Sequence, residues 1–263
     1  MINKRIKKQP YKNIIVKPTI NLNVRNIVIA PKFEIKKDPK LNKIKNHKLN
    51  KNNITKQNKL YATVGKIEPV YKGETIFIIG GGPSLQNFDF SKLENKISIV
   101  INKAILYVPF AQVMYWTDSR VYDWYQKEID AFKGLKVTNK PRPIASGVIN
   151  LLDTGKMGLE LLPNGLRHGN NSGYAAINLA YHLGAKKIVL LGFDMQMQNN
   201  NNHWHDGYKL ATPKPGLYKN TMIPNFETLV EPLKAAGVEV YNACPSSALE
   251  CFTKIPLTQA LLF

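Results

Sequence analysis

Short apolar runs recur along the chain between polar joints. Thr75–Ile79 (TIFII), Ile97–Ile101 (ISIVI), Val113–Trp116 (VMYW) and Lys187–Leu191 (KIVLL) are rich in β-forming side chains. Unbroken runs of this length read as strands buried on both faces of a parallel sheet. Val238–Tyr241 (VEVY) reads as a further strand. Between these runs the period changes to that of a helix. Residues 121–132 carry Tyr122, Trp124, Tyr125 and Phe132, behind a candidate N-cap at Asp118 or Ser119. Ala175, Ala176, Leu179, Ala180 and Leu183 share a helical face, and Gly184 follows as a stop. Residues 225–236 form a third helix, with Pro232 as an expected kink. Residues 85–93 hold a short capped element at Asp89 and Ser91. Residues 134–170 are broken by Pro and Gly, with short strands expected at 148–152 and 159–162. Strands alternating with helices predict an α/β, Rossmann-like domain, its mostly parallel sheet carrying helices on both faces.

The strand ends carry the candidate chemistry. The first strand empties into Gly80, Gly81 and Gly82, then Pro83 and Ser84. Glycines permit positive φ and close approach of a ligand, and the N–H groups of such a turn can cradle a phosphate. The second strand ends at Asn102, whose amide can donate and accept toward a base or ribose. The third ends at Thr117-Asp118, where the carboxylate can hold a metal, take a ribose hydroxyl or cap the next helix. Ser172 and Gly173 open the Ala-rich helix and put a hydroxyl and backbone N–H groups at its positive end. The helix and strand that follow form a crossover back into the parallel sheet. Asp194 then lands at the same carboxyl edge as Gly80, Gly82 and Asn102, where open α/β sheets bind ligands. The polar segment 195–208 reads as a loop or lid that carries His203, Trp204, His205 and Asp206. His203 and His205 share a face of an extended chain. With Asp206 they are candidate metal ligands, although a third fixed ligand is not evident; either imidazole is also a candidate general base.

Charge changes the picture at the N-terminal end. The chain has 263 residues and a formal net charge of +19. Residues 1–60 carry 17 Lys and Arg against Glu34 and Asp38, a balance of +15; residues 61–263 carry only +4. Residues 1–60 therefore read as a basic arm, extended or disordered, and residues 61–263 as the folded domain. The arm is either a solvated tail or a segment that binds an anionic surface such as nucleic acid, an acidic membrane or an acidic protein. The core is too balanced to be a nucleic-acid binder itself. Cys244 and Cys251 form neither a CxxC nor a disulfide framework, so a reducing cytoplasm is expected. Neither a transmembrane segment nor a signal-peptide core is expected. Cys244 reads as a small buried thiol rather than a nucleophile.

The order of these pieces resembles a known family. Strand-GGGPSL, strand-Asn102, NSGYAAINLAYHLGAKKIVLLGFD, a His-bearing loop and VYNACPSSAL parallel the bacterial sialyltransferases of glycosyltransferase family 42. They are also similar to the 6-hydroxymethylpterin diphosphokinase MptE-like family, a group often carried by phages, with a His-Trp-His loop. The resemblance covers about residues 74–252. It implies a CMP-sugar donor used without a metal. The glycine turn and Ser172 would lie near phosphate, Asn102 near the nucleotide, and His203 or His205 would deprotonate an acceptor hydroxyl. Gly80, Gly82, Ser84, Gly173 and Asp194 belong to the same implied site. Two positions differ: Gly81 replaces the family's Asn in the turn, and Thr117-Asp118 replaces an Asn after the third strand. Asp118 would repel a donor phosphate unless a cation intervened, which points toward a relative that uses another nucleotide, with Mg²⁺ bound as the diphosphokinase-like branch implies.

Three functions follow as expectations. The first is a nucleotide-dependent transferase, of glycosyltransferase type, acting on an acceptor the sequence does not name. The second is Mg²⁺-dependent diphosphate transfer from ATP, with Asp118 and Asp194 as metal ligands. The third is a non-catalytic binding protein that works through its basic arm.

Overall fold

The computed structural model describes residues 64–140, 147–198, 203–205 and 216–263. All of them fall in one unit, Leu49–Phe263. The expectations for the arm at 1–60 and for Asp206 lie outside the described residues, and so does half of the loop at 195–208.

The four apolar runs form strands with the expected bounds: β1 (Thr75–Ile79), β2 (Ile97–Ile101), β3 (Val113–Trp116) and, further on, Lys187–Leu191. Between them come helix α1 (Ser119–Ala131), then β4 (Leu135–Thr138), β5 (Val148–Asn150), β6 (Leu152–Gly155), β7 (Gly165–Arg167) and helix α2 (Ser172–His182). Lys187–Leu191 is accordingly β8; β9 (Glu239–Asn242) and β10 (Thr253–Lys254) close the series. Eight strands form one sheet in the order β10-β9-β8-β1-β2-β3-β4-β5, and β6-β7 stand apart as a pair. Every strand pairing in the eight-stranded sheet is parallel. The fold is thus α/β and Rossmann-like.

Period-two alternation along the strands explains the layers. Ile76 and Ile78 of β1, Ile99 of β2 and Tyr115 of β3 face one way, onto Ala176, Leu179 and Ala180 of α2. Phe77 and Ile79, Val100, Met114 and Trp116 face the other way, onto Val121, Tyr125 and Ile129 of α1. The central strands are apolar at nearly every position because both faces are covered. Ala-rich α2 lies with Tyr174, Ala175, Ala176, Leu179 and Ala180 fully buried. Its stop is the expected one, since Gly184 adopts φ +92°, a conformation that disfavours any side chain.

Three expectations need correction. Residues 159–162 form no strand: Leu161 and Leu162 are exposed, and the strand β7 starts at Gly165 instead. Residues 135–138, unassigned from sequence, form β4. The helix expected over 225–236 is two short helices, Ile223–Glu227 and Val230–Ala235, with the break at Thr228-Leu229. Pro232 accounts for that position, because its ring excludes the carbonyl four residues back, which belongs to Thr228, and it offers no N–H to it. Among the described residues no helix is long and apolar enough to cross a membrane. Cys244 and Cys251 are free thiols. Burial pushes both up, Cys251 to about 12, so neither is an activated nucleophile.

Candidate functional site

β1 is the pivot of the sheet. From it the chain runs outward through β2 to β5 on one side, and later through β8 to β10 on the other. The carboxyl ends of β1 and β8 therefore diverge at a topological switch point, where open α/β sheets carry their ligand crevice. A cleft of about 310 Å³ opens there. The β1 turn (Gly80–Gly82), Asn102 and Lys103 after β2, Asp118 after β3, the start of α2 and Asp194 after β8 all reach it, as do His203 and His205.

The glycine turn differs from its expectation. None of its three glycines has positive φ. Each is required by a neighbour instead. A Cβ on Gly82 would lie 2.0 Å from Asp194 Oδ2, one on Gly81 2.7 Å from His203 Nδ1, and one on Gly80 2.9 Å from the Gly192 carbonyl. The turn's amides are also largely engaged. Gly80 N–H donates to Leu191 O and Gly82 N–H to Gly192 O, each at 2.8 Å. Ser84 donates through its N–H to Asp194 Oδ1 (2.9 Å) and through its hydroxyl to Oδ2 (2.8 Å). Ser84 thus ties Asp194 to the turn rather than lining the cleft. The turn is a clamp between β1 and β8, not an open cradle of amides.

A second clasp holds the β8 end from below. Ser247 donates its hydroxyl to Phe193 O (2.6 Å), and Ala248 N–H donates to Asp194 O (2.8 Å). The turn after β9, singled out in the sequence as Cys244-Pro245-Ser246-Ser247, therefore fixes the backbone that presents Asp194.

The opposite wall is built differently. Asn102 ends β2 at φ +53°, in the left-handed region that Asn tolerates. That turn aims its side chain at α2, where Nδ2–H donates to Ser172 Oγ at 3.4 Å. The N-cap of α2 is Asn171 and not Ser172, since Asn171 Oδ1 accepts from Gly173 N–H (2.7 Å) and Tyr174 N–H (3.2 Å). Ser172 is thereby released from capping, and its hydroxyl lines the cleft. Gly173 serves packing: its amide belongs to Asn171, and a Cβ would lie 2.5 Å from the Phe193 ring.

Asp118 caps α1. Its Oδ1 accepts from Arg120 N–H at 2.9 Å, and its two oxygens take the Arg120 guanidinium in a forked pair, closest at 2.6 Å. Thr117 before it is held by the Tyr115 hydroxyl at 2.8 Å. Arg120 is thus a cation beside the carboxylate, which lowers its repulsion of an anion. The two carboxylates that the diphosphokinase-like branch would give Mg²⁺ are both engaged within the protein. Both oxygens of Asp118 face a guanidinium, both oxygens of Asp194 accept from Ser84, and among the described residues no three His, Cys, Asp or Glu side chains converge.

His203-Trp204-His205 docks on the glycine turn. Trp204 N–H donates to Gly81 O (3.1 Å) and its indole N–H to Gly80 O (3.0 Å). His203 Nδ1 stands 3.2 Å from Gly81 O. A carbonyl only accepts, so Nδ1 carries the proton and the ring lone pair is on Nε2. The two imidazoles are parallel at 5.4 Å, and His205 stacks in turn on Tyr107 at 6.0 Å. Burial lowers the pKa of His203; the bond to Gly81 opposes that shift and Lys103 adds to it. Burial, His203 and Lys103 together push His205 down to about 4. Both rings are neutral at pH 7.

Lys103 and Tyr218 are among the cleft residues that escaped the sequence reading. Lys103, 8% exposed, lines the wall directly after Asn102; the only signal was its place one residue past a strand end. Tyr218 comes from a π-helical turn, Tyr218–Met222, and its pKa is raised by burial and by Asp194. Its segment has no motif.

Fold and cleft together define the class: a parallel α/β domain with a crevice at its switch point. In comparisons with protein-family models, curated proteins and solved structures, nothing matches the chain.

Proposed function

We propose that the chain is a cytoplasmic nucleotide-dependent transferase, and within that class a glycosyltransferase. It takes a CMP-like nucleotide sugar and uses His203 as general base. The observation that carries the reading is the orientation of His203. Its Nδ1–H is held by the Gly81 carbonyl beside a switch-point cleft, which puts a basic lone pair on Nε2. The resemblance of its motif order to the sialyltransferase and MptE-like families supports it.

The chemistry is then as follows. The donor's phosphate lies toward Ser172 and the positive end of α2. An acceptor hydroxyl attacks the anomeric carbon of the sugar. Its oxygen forms the new glycosidic bond, and its proton passes to His203 Nε2. The bond from the anomeric carbon to the phosphate oxygen breaks, and its electron pair leaves with the nucleotide. His205, held near pKa 4, is a poor base at neutral pH and supports the His203 ring by stacking.

The test is transfer or donor hydrolysis by the full chain across a panel of CMP-, UDP- and GDP-sugars. His203→Ala is expected to lower turnover about 10²- to 10⁴-fold with donor affinity kept. Undiminished turnover in the double His203→Ala, His205→Ala variant would overturn the assignment of the base.

A further inference from the structure

We propose that Trp204 is the positioning residue of the cleft: its indole N–H registers the His203–His205 segment on the glycine turn and thereby fixes which nitrogen of His203 carries the proton. The effect on the tautomer stands without a substrate; the effect on turnover rests on the transferase reading.

The two nitrogens of an imidazole are not equivalent, and the hydrogen bond that one of them makes decides which keeps the proton. For His203 that bond runs from Nδ1 to Gly81 O at 3.2 Å. It is long: a shift of about 0.5 Å takes it out of hydrogen-bond range. A contact so near its limit does not hold the ring by itself, so the register of the segment is set elsewhere. Trp204 sets it. Its backbone N–H shares the Gly81 carbonyl (3.1 Å), and its indole N–H donates to the preceding carbonyl, Gly80 O (3.0 Å). The ring is 8% exposed, packs on Phe90 at 4.8 Å and meets Tyr107 edge-on at 4.6 Å. Rings on two sides limit its rotation, and the bond to Gly80 O selects one orientation. Burial alone asks only that an indole N–H find some acceptor. Here the acceptor precedes the residue that holds His203, so one turn fixes both side chains. The same indole meets His205 edge-on at 4.9 Å, and His205 lies parallel to His203. Trp204 therefore holds His203 by two routes, through the chain and through the imidazole stack. With the indole bond removed, the segment loses its register and His203 its grip on Gly81 O. The ring then samples the Nε2–H tautomer, which offers an acceptor hydroxyl a donor where a base is needed.

NMR of the full chain with isotope-labelled histidine tests this at neutral pH, where the ring-nitrogen shifts report the tautomer. His203→Gln assigns the signal, and buried His182 is the internal reference. The wild type is expected to hold His203 in the Nδ1–H form. Trp204→Phe keeps an aromatic ring and removes the donor. It is expected to convert a substantial share of His203 to the Nε2–H form and to leave His182 unchanged. Benzothienylalanine in place of Trp204, equal in size to tryptophan but without the N–H, is expected to do the same, and it decides the matter should Trp204→Phe fail to fold. A wild type already in the Nε2–H form, or an Nδ1–H form equally populated in all three proteins, would overturn the proposal. So would equal changes at His203 and His182, the mark of a general loss of packing. With a nucleotide sugar that turns over, Trp204→Phe is expected to lower kcat about 10- to 100-fold with KM kept. A lower kcat with an unchanged tautomer would make Trp204 an ordinary core residue and overturn its role. A changed tautomer in a chain that transfers from no donor leaves that role standing and removes the transferase reading.

Discussion

The two walls of the cleft are built on different principles. The β1–β8 wall is internally saturated: Gly82, Ser84, Gly192 and Asp194 bond to one another, and the glycines leave room for protein atoms. The wall made by the ends of β2 and α2 keeps its polar groups toward the crevice, with Asn171 taking over the capping so that Ser172 need not. A glycine-rich turn at a strand end is thus no proof of a phosphate cradle. In this chain it builds the clamp between β1 and β8 and a seat for His203.

That contrast can be broken most forcefully at Gly82. Gly82→Ala would press a methyl against the Asp194 carboxylate, and a loss of about 3 kcal/mol is expected in urea unfolding. A wild-type midpoint would mean that this wall is not clamped. Asp194→Asn follows. It gives Ser84 a neutral partner with one acceptor oxygen in place of two, for about 1–2 kcal/mol, read the same way. Next is pH. The folded-state pKa of His205, about 4, lies below its ordinary value of 6.5. Between those values the unfolded chain binds more protons than the folded one, so stability falls as pH drops from 6.5 toward 4. Melting temperatures across that window are expected to decline in the wild type and to decline less steeply in His205→Gln, where His182 and His203, also lowered by burial, still contribute. The smallest effects sharpen the comparison at α2. Asn171→Ala is expected to lower stability by about 1 kcal/mol as a lost cap. Ser172→Ala should change it by less than about 0.5 kcal/mol while weakening CMP several-fold.

The central sheet was legible because parallel strands buried on both faces must be apolar throughout. β1, β2, β3 and β8 have the expected bounds to the residue. β4 was not legible: its first two residues are half-buried, Lys136 interrupts it, and it sits in a Pro- and Gly-rich stretch. β10 has two residues and no pattern to read. Leu159–Leu162 misled because an apolar run does not by itself reveal that Leu161 and Leu162 face solvent. In the site, strand-end residues could be nominated because topology brings them to one edge. Their division of labour could not, since it depends on contacts such as Ser84 to Asp194, 110 positions apart. The same holds for Asp118, whose partner Arg120 was in plain view but whose forked geometry was not.

The most direct test of the central claim is a thermal-shift panel on the full chain with CMP, CDP, UDP, GDP, ADP and ATP, each with Mg²⁺ and with chelator. The expected result is a CMP response that is the same in both conditions. At about 100 times Kd it would correspond to about 2.7 kcal/mol of added stability. No response to any nucleotide, or a response to ATP that requires Mg²⁺, would contradict the account.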